Sequence, residues 1–252
     1  MRMTREELLF DTFITLSDTL VEDFDLVEFL SLLSERCVEL FDAEAAGVML
    51  AGAGGVLQLL ASSSERMRHL ELFELQRDEG PCPDCYRSGA PVNATDLEKA
   101  GERWPTFTAE ALRVGFRAVH ALPMRVRNDT IGALNLFRNR AGALSEADLR
   151  AAQALADIAT LSILQDRNHI DAQLLPKQLQ QALNTRVIIE QAKGFIAEKS
   201  NVEMDEAFSL LRAYARDHQR RLNQVARDVT EGKLSASTIG PANRGAGKAA
   251  GA

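Results

Sequence analysis

Two pairs of short apolar runs, each pair parted by a turn-forming segment, constrain this chain more than any other feature. Residues 45–50 and 56–61 flank Gly52, Gly54 and Gly55, and residues 118–126 and 130–137 flank Arg127, Asn128 and Asp129. Apolar runs of this length bounded by turn formers read as β-hairpins, and residues 91–95 read as a further strand. The segments around them step differently. Leu9, Phe13, Leu16 and Leu20, then Leu26, Phe29, Leu30, Leu33, Cys37 and Leu40, recur every three or four residues, as on amphipathic helices meeting near residues 23–25. Residues 64–76 and 104–114 repeat that spacing. Residues 80–89 hold Gly, Pro and Cys, which predicts a turn and at most a short helix. Strand pairs interleaved with helices predict an α+β domain on an antiparallel sheet.

From Ser145 the pattern is helical. Ser145 followed by Asp148 resembles a capping box, with Asp in place of Glu. Leu149, Ala156, Ile163 and Ile170 fall seven apart, with Ala152 and Ala159 on the same side, which predicts a coiled-coil seam and a second copy of the chain to fill it. Pro176 removes a backbone donor and predicts a kink or break. Helical spacing resumes over residues 179–199, 203–219 and 222–230. Residues 235–252, rich in Ser, Gly and Ala, predict disorder.

At 252 residues the chain has room for one large domain or two ordinary ones. No stretch approaches the roughly 18 apolar residues of a membrane span, and residues 1–12 carry charges where a signal peptide would be apolar, so a cytoplasmic protein is expected. The formal net charge of −7 is unevenly spread: residues 1–176 carry −11 and residues 177–234 carry +2. An acidic front and a basic back suit a chain whose back meets a polyanion.

Arg212, Arg216 and Arg220 are four apart, which would align three guanidinium groups on one helix for phosphate contact, and Arg186 and Lys193 are seven apart on the preceding helix. Tyr214 could stack on an unpaired base. Charges alone equally suit a solvated face paired with Glu190 or Asp217. A glycine inside a helix costs about 1 kcal/mol, so Gly194 needs a reason: close approach of another helix or of a nucleic acid backbone.

Cys82 and Cys85 form Cys-Pro-Asp-Cys, a spacing open to three uses: packed thiols, a redox switch, or half of a zinc site. His69, His120, His169 and His218 show no ligand spacing, so no metal site is expected, and Cys37 lies on an apolar helix face. No Gly-rich loop ending in Lys-Ser or Lys-Thr is present, and no catalytic residues suggest themselves.

Two segments resemble known families. Asn184-Thr-Arg-Val-Ile-Ile-Glu-Gln-Ala-Lys-Gly194, with Glu206-Ala-Phe-Ser-Leu-Leu-Arg-Ala-Tyr-Ala215 and Leu222-Asn-Gln-Val-Ala226, resembles the ANTAR domain across three helices. Asp78-Glu-Gly-Pro-Cys-Pro-Asp-Cys-Tyr-Arg-Ser-Gly-Ala-Pro-Val92 and Thr130-Ile-Gly-Ala-Leu-Asn-Leu-Phe137 resemble the GAF domain. The resemblance implies a GAF sensor over residues 1–144, a coiled-coil linker helix over 145–175 and a three-helix RNA-binding ANTAR bundle over 176–234. It implies no enzymatic activity, and a regulator that binds paired RNA stem-loops as a homodimer to prevent transcription termination. RNA contact would then fall to Arg186, Lys193, Gly194, Arg212, Tyr214, Arg216 and Arg220.

By the same resemblance a small-molecule pocket would lie between the sheet and the loops carrying Tyr86, Val92, Trp104, Phe116 and His120, although those aromatics equally serve as core. The residue signature of cyclic-nucleotide GAF domains is absent, no histidine is assignable to haem, and the ligand and any cofactor stay unnamed. Two rivals remain: a DNA-binding regulator, since three short helices serve either polymer, and a cysteine-dependent GAF reductase.

Overall fold

The computed structural model describes residues 4–18, 25–127, 129–165 and 174–239. The chain divides into two compact units, Met1–Leu179 and Gln180–Ala252.

The first unit is built on a five-stranded sheet in the order β2-β1-β5-β4-β3, with β1 Ala45–Ala51, β2 Leu57–Ser62, β3 Val92–Ala94, β4 Ala118–Val126 and β5 Asp129–Arg138. Every neighbouring pair is antiparallel. Both expected hairpins form, and Gly54 and Gly55 turn the first with φ of 77° and 76°. The turn of the second includes Asn128, which lies outside the described residues. The pairing of β1 with β5, Ala45 against Phe137 through Leu50 against Gly132, joins the hairpins into one sheet. Pro123 sits inside β4, opposite Ala133 on β5. Pairing with β3 ends at Ala121, so no ladder bond to β3 is lost at the proline.

Helices α1 Arg5–Asp18, α2 Leu26–Leu40, α3 Glu65–Arg77, α4 Pro81–Ser88, α5 Pro105–Arg113 and α6 Glu146–Gln165 cover the sheet. Asp25 caps α2 by accepting from the backbone N–H of Val27 and Glu28, and Ser64 caps α3 by accepting from Met67. Ser145 Oγ accepts from Asp148 N at 3.0 Å, which is half of the anticipated box; the Asp148 carboxylate is held by Arg5 instead.

Strand alternation sorts the side chains. Ala45, Met49, Leu59, Val92, Ala94, Val119, Ala121, Ala133 and Phe137 join the core that includes Met67 and Leu70 of α3, Cys82 and Cys85 of α4 and Phe107 of α5. The other face of the sheet is packed by α2 and α6, and α1 packs on both of those helices. The anticipated coiled-coil stripe is used here: Ala152, Ala156, Ala159 and Ile163 are all 0% exposed, on a helix that packs against β4 and α2. A seven-residue apolar repeat needs an apolar neighbour, and the domain's own sheet and helices supply it. Ile170 lies outside the described residues.

The second unit holds most of α7 Leu174–Ser200, with α8 Met204–Asp217 and α9 Leu222–Thr230. Pro176 does not break a helix. It lies in the first turn of α7, where backbone N–H groups have no helical partner to lose. A short 3-10 turn, Ala236–Ile239, follows α9 and buries Ile239 beside α8, so order reaches into the segment expected to be disordered from residue 235.

Gly132 marks where the sheet tolerates no side chain, since a methyl group there would strike the Met49 carbonyl and approach Leu50 Cα to 3.0 Å. Gly132→Ala is expected to destabilise the first unit by about 1–3 kcal/mol, read as a lower denaturant midpoint. An unchanged midpoint would show that β1 and β5 pair more loosely than described.

Candidate functional site

The segment from Asp78 to Val92 folds into a set of clamps. Asp78 closes α3 in the left-handed conformation (φ 49°), and Gly80 at φ 147° leads into α4. Glu79 caps α5: its carboxylate accepts from the backbone N–H of Thr106 at 2.7 Å and of Phe107 at 2.9 Å, and from the Thr106 hydroxyl. Burial raises the Glu79 carboxyl, but these donors outweigh it and leave it below the usual range. Asp84 ties α4 to the start of α5. Trp104 Nε1 donates to its Oδ2 at 3.1 Å, Arg103 Nη2 donates to the same oxygen at 2.8 Å, and Arg87 Nη2 donates to Oδ1 at 2.8 Å. The Arg103 guanidinium also lies 4.4 Å from the Trp104 ring centre.

The expected pocket residues do not share one place. Val92, Trp104 and Phe116 are buried in the core beneath α3–α5, where Trp104 meets Phe107 edge-on and Phe116 tilts against Phe137. Tyr86 is half-buried on α4 with its hydroxyl near Gly55. His120 is the exception: it alternates with Val119 and Ala121 and so points to the opposite face of the sheet. There its Nδ1 lies 2.8 Å from Asn93 Oδ1. Burial and the charge of Arg138 outweigh a backbone contact to Gly142 and pull its pKa down to about 4, leaving it neutral near pH 7.

Cys82 and Cys85 are free thiols with no exposed surface. Cys82 Sγ lies 3.3 Å from Met49 Sδ. Burial pushes the Cys85 thiol up to about 12, and burial together with Glu74 pushes Cys82 well above its ordinary value. A reactive cysteine needs an accessible thiolate, and neither position provides one. No group of three metal-ligating side chains occurs among the described residues.

Around these thiols lies a polar cluster that sequence reasoning missed. Glu71 and Glu74 are 0% exposed, and Asn135, 1% exposed, donates from Nδ2 to Glu71 Oε1 at 2.8 Å. Cys82 N donates to Glu74 Oε1 at 2.8 Å. Burial drives the Glu74 carboxyl well above the usual range; the Cys82 N–H draws it partly back, and the nearby carboxyls of Glu71 and Asp84 push it up again. The signal was present in the sequence: Glu71 and Glu74 share the spacing of Met67 and Leu70 on one helix face.

In the second unit the cations are distributed unevenly. Lys193 is 4% exposed, its Nζ donates to Glu190 Oε2 at 3.1 Å and Oε1 at 3.2 Å, and it lies 5.2 Å from the Phe208 ring centre. Lys193, expected as an RNA contact, is thus buried and engaged within the protein. Arg212 lies over the same ring at 5.3 Å. Arg186 and Arg212 are half-buried and engaged with neighbouring groups. Arg220 is not on the Arg212 helix, because α8 ends at Asp217: Gln219 turns left-handed (φ 51°) and Arg220 N bonds back to Ala215 O at 2.8 Å. Its guanidinium pairs with Asp228 of α9.

Arg216 is exposed and has no ion pair among the described residues; Arg227 of α9, which sequence reasoning did not single out, is exposed as well. Tyr214 stacks on His218 at 3.9 Å with the rings 19° apart. A side-chain carbon at Gly194 would meet no heavy atom within 4 Å, so no helix among the described residues explains that glycine, whereas Ala192 is buried as packing requires.

The GAF domain family matches residues 25–163 and the ANTAR domain family matches residues 177–229. The chain belongs to the GAF domain family and carries an ANTAR domain. GAF is a sensory domain, and ANTAR implies RNA-binding antitermination regulation. Among solved structures, the chain is similar to the GAF domain from an Acinetobacter phosphoenolpyruvate-protein phosphotransferase, with TM-score 0.51, 14% identity, and coverage of 68% of this chain and 99% of that one. It is also similar to free methionine-R-sulfoxide reductase from Neisseria meningitidis, solved with its substrate, with TM-score 0.51, 17% identity, and coverage of 66% and 92%. At such identities the likeness shows the fold alone. No curated protein matches the chain. No helix among the described residues is long and apolar enough to cross a membrane.

Within the GAF domain, the raised Glu74 carboxyl means the folded state holds a proton that the unfolded state releases from about pH 4.5 upward. Stability must therefore decline as pH climbs from that value through the folded pKa. Glu74→Gln removes the penalty and is expected to raise the melting temperature at pH 7.5 and to flatten its dependence on pH. A lower melting temperature in the variant at pH 7.5 would count against a neutral, buried acid.

Proposed function

We propose that this GAF–ANTAR protein is a transcription antitermination regulator whose GAF domain senses a small molecule and controls binding of the ANTAR domain to paired RNA hairpins. One observation carries the reading: the ANTAR match spans α7, α8 and α9 in order, on a segment of net charge +2 behind an acidic sensor. Arg216 and Arg227 offer exposed charge to phosphates, the Tyr214–His218 stack offers a ring face to an unpaired base, and Gly194 leaves open space for a backbone to approach. Arg186, Arg212 and Arg220 enter the same surface with part of their charge already engaged within the protein. Lys193 acts as a strut between α7 and α8.

The buried thiols weigh against redox sensing through Cys82 and Cys85 and against a cysteine-dependent reductase. A homodimer belongs to this reading because two hairpins call for two ANTAR domains. The buried side of α6 is occupied, which leaves Phe10 and Ile14 of α1 and Leu161 of α6, 67%, 61% and 48% exposed, as apolar contacts for a second copy. Light scattering is expected to give twice the chain mass with RNA bound; a strict monomer, free and bound, overturns this part.

The main test compares retention of a two-hairpin RNA with that of duplex DNA at fixed salt, and stronger retention of the duplex overturns the reading. Arg216→Ala is expected to weaken RNA binding and to reduce the slope of log affinity against log salt by roughly 0.7–0.9, the amount set by one phosphate left without its cation. Lys193→Ala is expected instead to lower the melting temperature, since it removes the buried ion pair with Glu190 and the contact with the Phe208 ring. An unaltered salt slope in Arg216→Ala would remove that residue from the interface.

A further inference from the structure

The stack at the end of α8 holds more chemistry than a ring face. His218 is exposed, and contacts with a single residue fix its place: its ring lies 3.9 Å from that of Tyr214, and the Tyr214 carbonyl accepts from His218 N at 3.1 Å and stands 2.9 Å from His218 Nδ1. A carbonyl oxygen can only accept, so Nδ1 carries the hydrogen. That sets the tautomer: in the neutral ring Nε2 keeps a bare lone pair, and only the protonated ring offers an N–H there. Neither contact is lost on protonation, since the carbonyl still accepts from Nδ1 and a tyrosine face accommodates a cation. No other side-chain hydrogen bond, ion pair or ring contact of His218 occurs among the described residues. The charged groups around this helix end are Arg216 and Asp217, both exposed; Arg220, turned to Asp228 of α9; and Arg221 and Arg227 of α9, the first engaged with neighbouring groups and the second exposed. On α7, Lys193 and Glu190 pair with each other beside Phe208, and the 3-10 turn that packs on α8 carries no charge.

We propose that His218 is a further RNA-binding residue, one that meets a loop phosphate through Nε2 and takes up a proton from solvent as it does so, which makes RNA affinity depend on pH. A phosphate diester offers only acceptors, so a bond to it needs hydrogen on Nε2, and with Nδ1 committed to Tyr214 that hydrogen is the second on the ring. An imidazole changes charge between pH 5 and 8, whereas the guanidinium groups of Arg216 and Arg227 stay charged throughout, so of these groups only His218 links binding to a proton. The sign follows: binding that draws a proton strengthens as pH falls, and a contact made in the charged form adds to counterion release. A neutral ring accepting from a base amino group would give the reverse dependence. The assignment rests on the RNA-binding reading and supplies a regulatory input to the same surface.

The test measures binding of a two-hairpin RNA to the full chain at pH 6 and pH 8, with a salt series at each. Wild-type affinity is expected to rise roughly three- to tenfold from pH 8 to pH 6, with the slope of log affinity against log salt steeper at pH 6 by roughly 0.7–0.9. His218→Gln, which cannot titrate, is expected to abolish both changes and to keep the weaker affinity of pH 8 throughout. His218→Lys, charged at both pH values, is expected to flatten the response at the tighter level, and it serves as the deciding variant should the glutamine lower the melting temperature. A flat wild-type profile, tighter binding at pH 8 than at pH 6, or a pH response that persists in the variants overturns the proposal. RNA bound with a flat profile sinks the role of His218 and leaves the regulator standing, whereas RNA bound at neither pH sinks both.

Discussion

Alternation along β4 and β5 decides which side chains in the sensor can meet. Successive residues of a strand face opposite sides, so Val119, Ala121, Ala133, Asn135 and Phe137 turn toward α3, α4 and α5, while His120, Leu134, Leu136 and Arg138 turn away. The β1–β5 pairing locks that choice, because a slip of one residue would exchange the two sets. Asn135 thereby enters the core beside Glu71, and His120 goes to the side of Asn93 and Arg138, although their strands are paired. The acid cluster and the histidine are separate chemistries on separate faces.

Much of the fold was legible because periodicity is local. The hairpins, the α3 and α5 helices and the Ser145 cap follow from spacing and turn residues that lie within a few positions of one another. What the sequence concealed was partnership. The stripe on α6 declares that an apolar neighbour exists but not whether it belongs to the same chain, and here β4 and α2 fill it. The Asp78–Glu79–Gly80 segment is read as a motif from its letters. Its physical content, a carboxylate reaching 27 residues onward to cap α5 and a glycine making way for Glu74, depends on contacts that spacing does not encode.

The same limit explains the misplaced charges of the ANTAR bundle. Rows of Arg at four-residue steps predict a cationic face only if one helix carries them all, and the α8 helix stops at Asp217 through a left-handed glutamine, where a glycine would have announced the ending. Lys193, read as a phosphate contact from its seven-residue step after Arg186, spends its charge on Glu190 and the Phe208 ring. Under the proposed RNA-binding role, cations that hold helices together are poor candidates for releasing counterions, which puts the electrostatic weight on Arg216 and Arg227, on the ends of α8 and α9.

Burying Glu71 and Glu74 side by side runs against the ordinary preference for apolar residues at such positions. Apolar replacements of similar volume would relieve the desolvation that raises Glu74. The surroundings are nonetheless adapted to the acids: Gly47 and Gly80 yield space, Cys82 N turns inward to donate, and Asn135 interrupts an apolar strand to meet Glu71. An arrangement supported from four directions keeps two acids in the core, at the expense of a stability that falls as pH rises.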